Sequence, residues 1–119
     1  MTTGMIFYVL FALFVKHLVI DFPIYTSYAC RVRSEQRTSV WWLHIILHGV
    51  ATAFLLWIMT IPAWIAVLAG IIDSVVHVSI DFIFYLLNKR FNVNLLSDTD
   101  QYFHCLFYVM LTFGLVVLV

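Results

Sequence analysis

The alternation of apolar and polar residues divides the chain into long apolar runs with short polar breaks. A bilayer core of about 30 Å is crossed by roughly 20 apolar helical residues. The run from 40 to 87 would make about 70 Å of helix, more than twice that thickness, so Pro62 is expected to divide it. The pattern predicts membrane-spanning helices over residues 5–24, 40–60, 63–87 and 99–119.

Composition supports a membrane environment. Of the 119 residues, 65% are hydrophobic and 10% are charged, whereas soluble domains have about a quarter charged residues. A small soluble fold cannot bury that much apolar surface. Because backbone groups in lipid must be paired internally, long unbroken runs favour helices. We therefore expect an all-α fold, a four-transmembrane-helix bundle forming one domain over 1–119. The net charge of zero gives no indication of a nucleic-acid partner.

Basic residues in the short loops predict the orientation. The first loop contains Arg31, Arg33 and Arg37, the third contains Lys89 and Arg90, and the second contains none. Since cytoplasmic loops are enriched in lysine and arginine, loops one and three are expected on the cytoplasmic side and both termini on the periplasmic side. A bundle of this size is compatible with a homodimer.

Histidine and aspartate residues recur at a spacing of four. This spacing places two side chains on one helix face, about 5–6 Å apart at Cβ. The pairs use every histidine and four of the six acidic residues. They are His17 and Asp21, His44 and His48, Asp73 and His77, His77 and Asp81, and Asp100 and His104. All four predicted helices would carry them towards the side of loops one and three.

These pairs predict a metal site, because imidazole and carboxylate together suit zinc, iron or manganese. A divalent cation would offset acidic groups that are costly in a membrane. Zinc is the expected metal, and the number of candidates allows two ions. The candidate ligands are His17, Asp21, His44, His48, His77, Asp81, Asp100 and His104. Asp100 or Asp73 would act as general base or orient a ligand, and Gln101 would position substrate or water.

Other interpretations of the same residues remain open. An aspartate–histidine pair in a span also fits a metal-free polar network, a proton relay or a clamp between helices. Lys16 is expected to extend its ammonium group to the membrane interface, with contact to an anionic substrate as the alternative.

The histidine and aspartate blocks resemble those of a family of small bacterial and phage membrane proteins known as domain of unknown function 3307. The resemblance covers nearly the whole chain, in the family's order. The blocks run over 17–22, 44–48, 77–81 and 100–104. It implies a membrane protein with a metal site, in a bacterial inner membrane or encoded by a phage. A more distant similarity is to membrane-bound metal-dependent hydrolases.

The leading functional hypothesis is a metal-dependent hydrolase that acts on a lipid or lipid-linked phosphate at the cytoplasmic leaflet. A bound metal would lower the pKa of a water molecule and polarise a phosphoryl oxygen. The alternatives are a divalent-metal transporter or binding protein, a di-iron or haem redox protein, and a non-enzymatic phage or host interaction protein.

Overall fold

The computed structural model describes residues 2–21, 39–91 and 99–119, and these parts of the chain form helices joined by one described turn. Helix α1 is Thr3–Asp21, α2 is Ser39–Ile58, α3 is Ala63–Phe91 and α4 is Thr99–Leu118. The predicted all-α class is confirmed. Helix α3 continues four residues beyond the predicted end at 87, and the predicted end of the first helix, 22–24, lies outside the described residues.

The hairpin between α2 and α3 follows from a defined helix C-terminus. Thr60 has a positive φ of 66°. The Ile61 N–H donates to the Leu56 carbonyl at 3.1 Å, and the Thr60 N–H donates to the Trp57 carbonyl at 3.1 Å. These two bonds form a Schellman motif, in which apolar residues at both ends usually touch. Ile61 and Leu56 both belong to the buried core, and Pro62 prevents α2 from continuing.

Small residues let α2 and α3 pack at short range. A Cβ atom added to Gly70 would lie 2.5 Å from the Gly49 carbonyl oxygen and 2.9 Å from the Ala53 Cβ. One added to Gly49 would lie 2.0 Å from the Ser74 Oγ. The Ser74 hydroxyl also donates to the Ile45 carbonyl across the interface at 3.0 Å. The absence of side chains at both glycines therefore sets the distance between the two helices.

The bundle interior is apolar at one end and polar at the other. The half nearest the hairpin holds an apolar core that includes Leu13, Leu56, Ile65 and Leu115. The ionisable side chains lie further along the helices, towards the ends at residues 21, 39, 91 and 99. The fold therefore separates a hydrophobic half from the half that holds the candidate site.

Two helical stretches in the described chain, Thr3–Ile20 and Ala63–Phe84, are long and apolar enough to cross a membrane. The apolar stretches of α2 and α4, Trp42–Ile58 and Tyr102–Leu118, are shorter. By length and composition alone, this is weak evidence for a membrane protein and does not establish four spans.

Candidate metal centre

All five histidines of the chain meet inside the bundle, and we call them the histidine cluster. They come from all four helices and are at most 2% exposed. They are His17, His44, His48, His77 and His104. Spacing of four along α2 places both of its histidines on the inner face, as the sequence pattern predicts.

His77 lies at the middle of the cluster. Its ring stacks on the rings of His48 and His104, with both centroid distances 4.0 Å and both interplanar angles 25°. Ligand-capable nitrogens of His17, His77 and His104 all lie within 4.8 Å of one another, and the same holds for His44, His48 and His77. The cluster therefore contains two overlapping groups of three histidines that share His77.

The Asp81 carboxylate lies beside two members of the first group, His77 and His104. It is buried, with its oxygens 3.7 Å from the Nε2 of His77 and 3.5 Å from the Nε2 of His104. Within the described residues, neither carboxylate oxygen accepts a hydrogen bond. A buried carboxylate without such partners is unfavourable unless a positive charge compensates it. That charge is either a cation or a protonated imidazole.

A second polar group, which we call the lysine cluster, lies one helical turn nearer the hairpin. It takes one buried side chain from each helix: Lys16, Thr52, Asp73 and Tyr108. The Lys16 Nζ forms an ion pair with the Asp73 Oδ2 at 2.8 Å. It also donates to the Tyr108 hydroxyl at 2.7 Å and the Thr52 hydroxyl at 2.9 Å. The Thr52 hydroxyl in turn donates to Asp73.

The expectation that Lys16 extends to the membrane interface is wrong. Lys16 is only 6% exposed, and its ammonium points into the bundle because Asp73 provides a compensating charge there. An ammonium group without such a partner would be drawn to the interface. The alternative contact, with an anionic substrate, stays a prediction.

The pattern of histidines and aspartates did not predict Thr52 or Tyr108, because neither residue is ionisable in the way that pattern requires. The spacing of four nevertheless extends to them: Thr52 follows His48 by four residues, and Tyr108 follows His104 by four. Extending the spacing of four by one helical turn, beyond His48 on α2 and beyond His104 on α4, would have predicted both residues.

Of the remaining predicted site residues, the structure describes the side chain of Asp73 only. Asp73 lies in the lysine cluster and is bound by Lys16 and Thr52, a position from which it can orient neighbouring groups. The side chains of Asp21, Asp100 and Gln101 lie outside the part of the chain that the structure describes, so their assignments stay predictions.

The spacing of Asp81 and its two histidine neighbours fits a metal site. In a tetrahedral zinc site with bonds of about 2.0–2.1 Å, neighbouring ligand atoms lie about 3.3 Å apart. One Asp81 oxygen lies 3.5 Å from the His104 Nε2 and the other lies 3.7 Å from the His77 Nε2, and both distances are close to that value. Imidazole and carboxylate donors are the ligands that zinc, iron and manganese accept. The described residues therefore fit a divalent transition metal.

Fold and site together define a small helical bundle with a buried histidine and carboxylate centre. The chain belongs to the family described as Protein of unknown function (DUF3307), whose family model matches residues 9–119. The family expected from the histidine and aspartate blocks is thus confirmed. No curated protein and no solved structure matches the chain.

Proposed function

We propose that the protein is a membrane-embedded, metal-dependent hydrolase of a lipid or lipid-linked phosphate. In this proposal the four helices span the bilayer, and part of the histidine cluster (His17, His77 and His104) holds a divalent metal together with Asp81, with zinc the first candidate. The observation that carries the proposal is the buried Asp81 carboxylate. One of its oxygens lies 3.5 Å from the His104 Nε2 and the other 3.7 Å from the His77 Nε2, and neither accepts a hydrogen bond within the described residues.

The outer surface of the bundle supports its placement in a membrane. Large apolar side chains are exposed on every helix, such as Phe11 at 68%, Trp57 at 58%, Trp64 at 66% and Phe113 at 71%. Soluble monomers rarely expose large continuous apolar patches. The bundle is 45 Å in its longest dimension, similar to a bilayer with its headgroups, which is about 40–45 Å thick. We infer that α2 and α4 also cross the membrane.

The register of the cluster supports a site near one membrane face. His17 lies four residues before the end of α1, and His44 lies five residues after the start of α2. At about 1.5 Å per residue, both lie within about 8 Å of those helix ends. If the basic residues of 22–38 and 88–98 face the cytoplasm, the site opens towards the cytoplasmic leaflet. That position suits a substrate whose phosphate lies at the headgroup level.

In such a site, different residues of the chain would hold the metal, orient its ligands and position the substrate. His17, His77, His104 and Asp81 would hold the ion, and the apolar half of the bundle would keep bulk water away. A bound divalent metal supplies a water of lowered pKa and polarises a phosphoryl oxygen. Asp73, fixed by Lys16 and Thr52, would orient the histidines. Asp100 and Gln101 remain the predicted base and positioning residue.

The test begins with elemental analysis of detergent-purified protein, followed by measurement of phosphate release from lipid phosphates. We expect bound zinc, iron or manganese, and phosphate release that stops on chelation and returns with the metal. Asp81→Asn keeps the shape of the side chain but removes its charge, so metal content and phosphate release should both fall.

Ser79→Ala is the matched control on α3, because Ser79 is exposed and its hydroxyl bonds only to the Val75 carbonyl among the described groups. This variant should behave as the wild type. Metal-free wild-type protein would contradict the metal site. Metal-loaded protein that releases no phosphate from any lipid phosphate tested would contradict the hydrolase and leave a metal-binding protein.

A further inference from the structure

The two histidines that border the lysine cluster do not have equivalent surroundings. The His48 Nδ1 lies 3.3 Å from the Lys16 Nζ, and the His17 Nδ1 lies 3.4 Å from the Tyr108 hydroxyl. A neutral imidazole carries one proton, and the hydrogen bond at one nitrogen determines which nitrogen keeps it. The partners at Nδ1 therefore indicate which nitrogen each ring has available for a metal.

The number of N–H groups on Lys16 determines which hydrogen bonds it can form. In the ion pair with Asp73 it is an ammonium, with three N–H donors and no lone pair. Its three shortest contacts, to Tyr108, Asp73 and Thr52, are acceptors at 2.7, 2.8 and 2.9 Å. The ammonium cannot accept a proton from His48. A proton on the His48 Nδ1 would point at a positive charge 3.3 Å away, so the contact favours the tautomer in which Nδ1 is unprotonated and Nε2 carries the hydrogen.

The Tyr108 hydroxyl favours the opposite tautomer for His17, with the proton on Nδ1. It accepts from Lys16 at 2.7 Å and lies 3.3 Å from the Asp73 Oδ1, to which it can donate its own proton. A second lone pair remains for an N–H of His17. His17 can thus keep its proton on Nδ1 and offer Nε2 as a ligand, which is the usual outer-sphere arrangement of metal-bound histidine.

We propose that His48 is a hydrogen-bond donor and not a metal ligand, and that each chain holds one divalent cation. The cation lies on the side of His17, His77 and His104. The second group of three histidines, which includes His48, does not bind another ion, because His48 has no lone pair available on Nε2 and its Nδ1 faces the Lys16 ammonium 3.3 Å away. This inference rests on the proposed metal site and decides between one ion and two.

Titration of the detergent-purified, metal-free full chain with cobalt(II) tests the stoichiometry. The visible absorption of the ion reports its ligands and does not depend on activity. We expect saturation at about one cobalt per chain, the number set by the single group of His17, His77 and His104. His48→Gln keeps an N–H donor, so it should keep the spectrum and weaken binding less than about tenfold. His104→Gln removes a proposed ligand, so it should weaken binding by more than the roughly 10–100-fold that loss of an outer-sphere partner causes.

The outcomes separate the two proposals. No cobalt binding in the wild type would overturn the metal site itself. Two cobalt ions per chain, or a His48→Gln variant that loses binding and spectrum as His104→Gln does, would overturn the single-ion inference while the metal site stands.

A second measurement covers the case in which a variant fails to fold. Nitrogen-15 labelling of histidine in the metal-free wild type identifies the protonated nitrogen of each ring by NMR. We expect the proton of His48 on Nε2, and loss of that preference in the Lys16→Met/Asp73→Asn double variant, which removes both charges together. A His48 proton on Nδ1 in the wild type would overturn the inference.

Discussion

Lys16 and Asp73 form a buried ion pair whose two charges depend on each other. Both side chains are at most 3% exposed, and the pair is bound further by Thr52 and Tyr108. Removal of one partner from a buried pair typically destabilises a protein by about 3–5 kcal/mol, whereas replacement of both is often neutral. We therefore expect loss of either charge alone to destabilise the bundle, and loss of both charges together to have a much smaller effect.

The single variant Lys16→Met should lower the free energy of unfolding by about 3–5 kcal/mol, because the Asp73 carboxylate is left buried without its partner. The double variant Lys16→Met/Asp73→Asn should recover most of that loss. Denaturant unfolding in detergent measures both. A single variant as stable as the wild type would show that Asp73 does not depend on Lys16.

Tyr108 connects the lysine cluster to His17 through its hydroxyl group. We expect Tyr108→Phe to weaken metal binding by about 10–100-fold, the usual effect of losing an outer-sphere partner of a ligating histidine. Thr112→Val is the control on the same helix, since the Thr112 hydroxyl donates to the Tyr108 carbonyl of its own helix. Competition with a metal chelator measures both affinities, and equal affinities in the two variants would contradict the role of the hydroxyl.

At the scale of the elements, the interface between α2 and α3 is set by two glycines. Their added Cβ atoms would lie 2.5 Å or less from atoms of the facing helix. The same helices carry His44, His48, His77 and Asp81. A change in the distance between these helices therefore moves the candidate ligands as well as the apolar contacts.

Gly70→Ala should destabilise the bundle by about 1–3 kcal/mol, because overpacking a tight contact forces the backbones apart. Gly114→Ala is the matched control on α4, since nothing lies within 4 Å of its added Cβ. That change should be neutral, or stabilising by up to about 1 kcal/mol through helix propensity. Thermal unfolding in detergent measures both variants, and similar melting temperatures would contradict the close packing.

The helices and the histidine cluster were predictable for two separate physical reasons. Apolar run length and Pro62 indicate the helices, and a spacing of four brings His44 and His48 to one face. The direction of Lys16 was not predictable from its own segment. It depends on Asp73 and Tyr108, which lie far along the chain and meet it only after the helices pack.

At the scale of the whole molecule, one bundle combines an apolar exterior, an apolar half and a buried polar half. Each helix contributes a side chain to both the histidine and the lysine clusters. If the four helices cross a membrane as proposed, ionisable groups at this density are rare there and are generally functional. The two polar clusters therefore connect all four helices around the candidate site.

In the proposed centre, imidazoles from separate helices and the Asp81 carboxylate share one cation. X-ray absorption spectroscopy at the edge of the bound metal tests it most directly. We predict a first shell of nitrogen and oxygen atoms at about 2.0–2.1 Å, with the outer-shell scattering of about three imidazole rings that is lost in part in His104→Gln. A first shell without imidazole scattering would contradict the account.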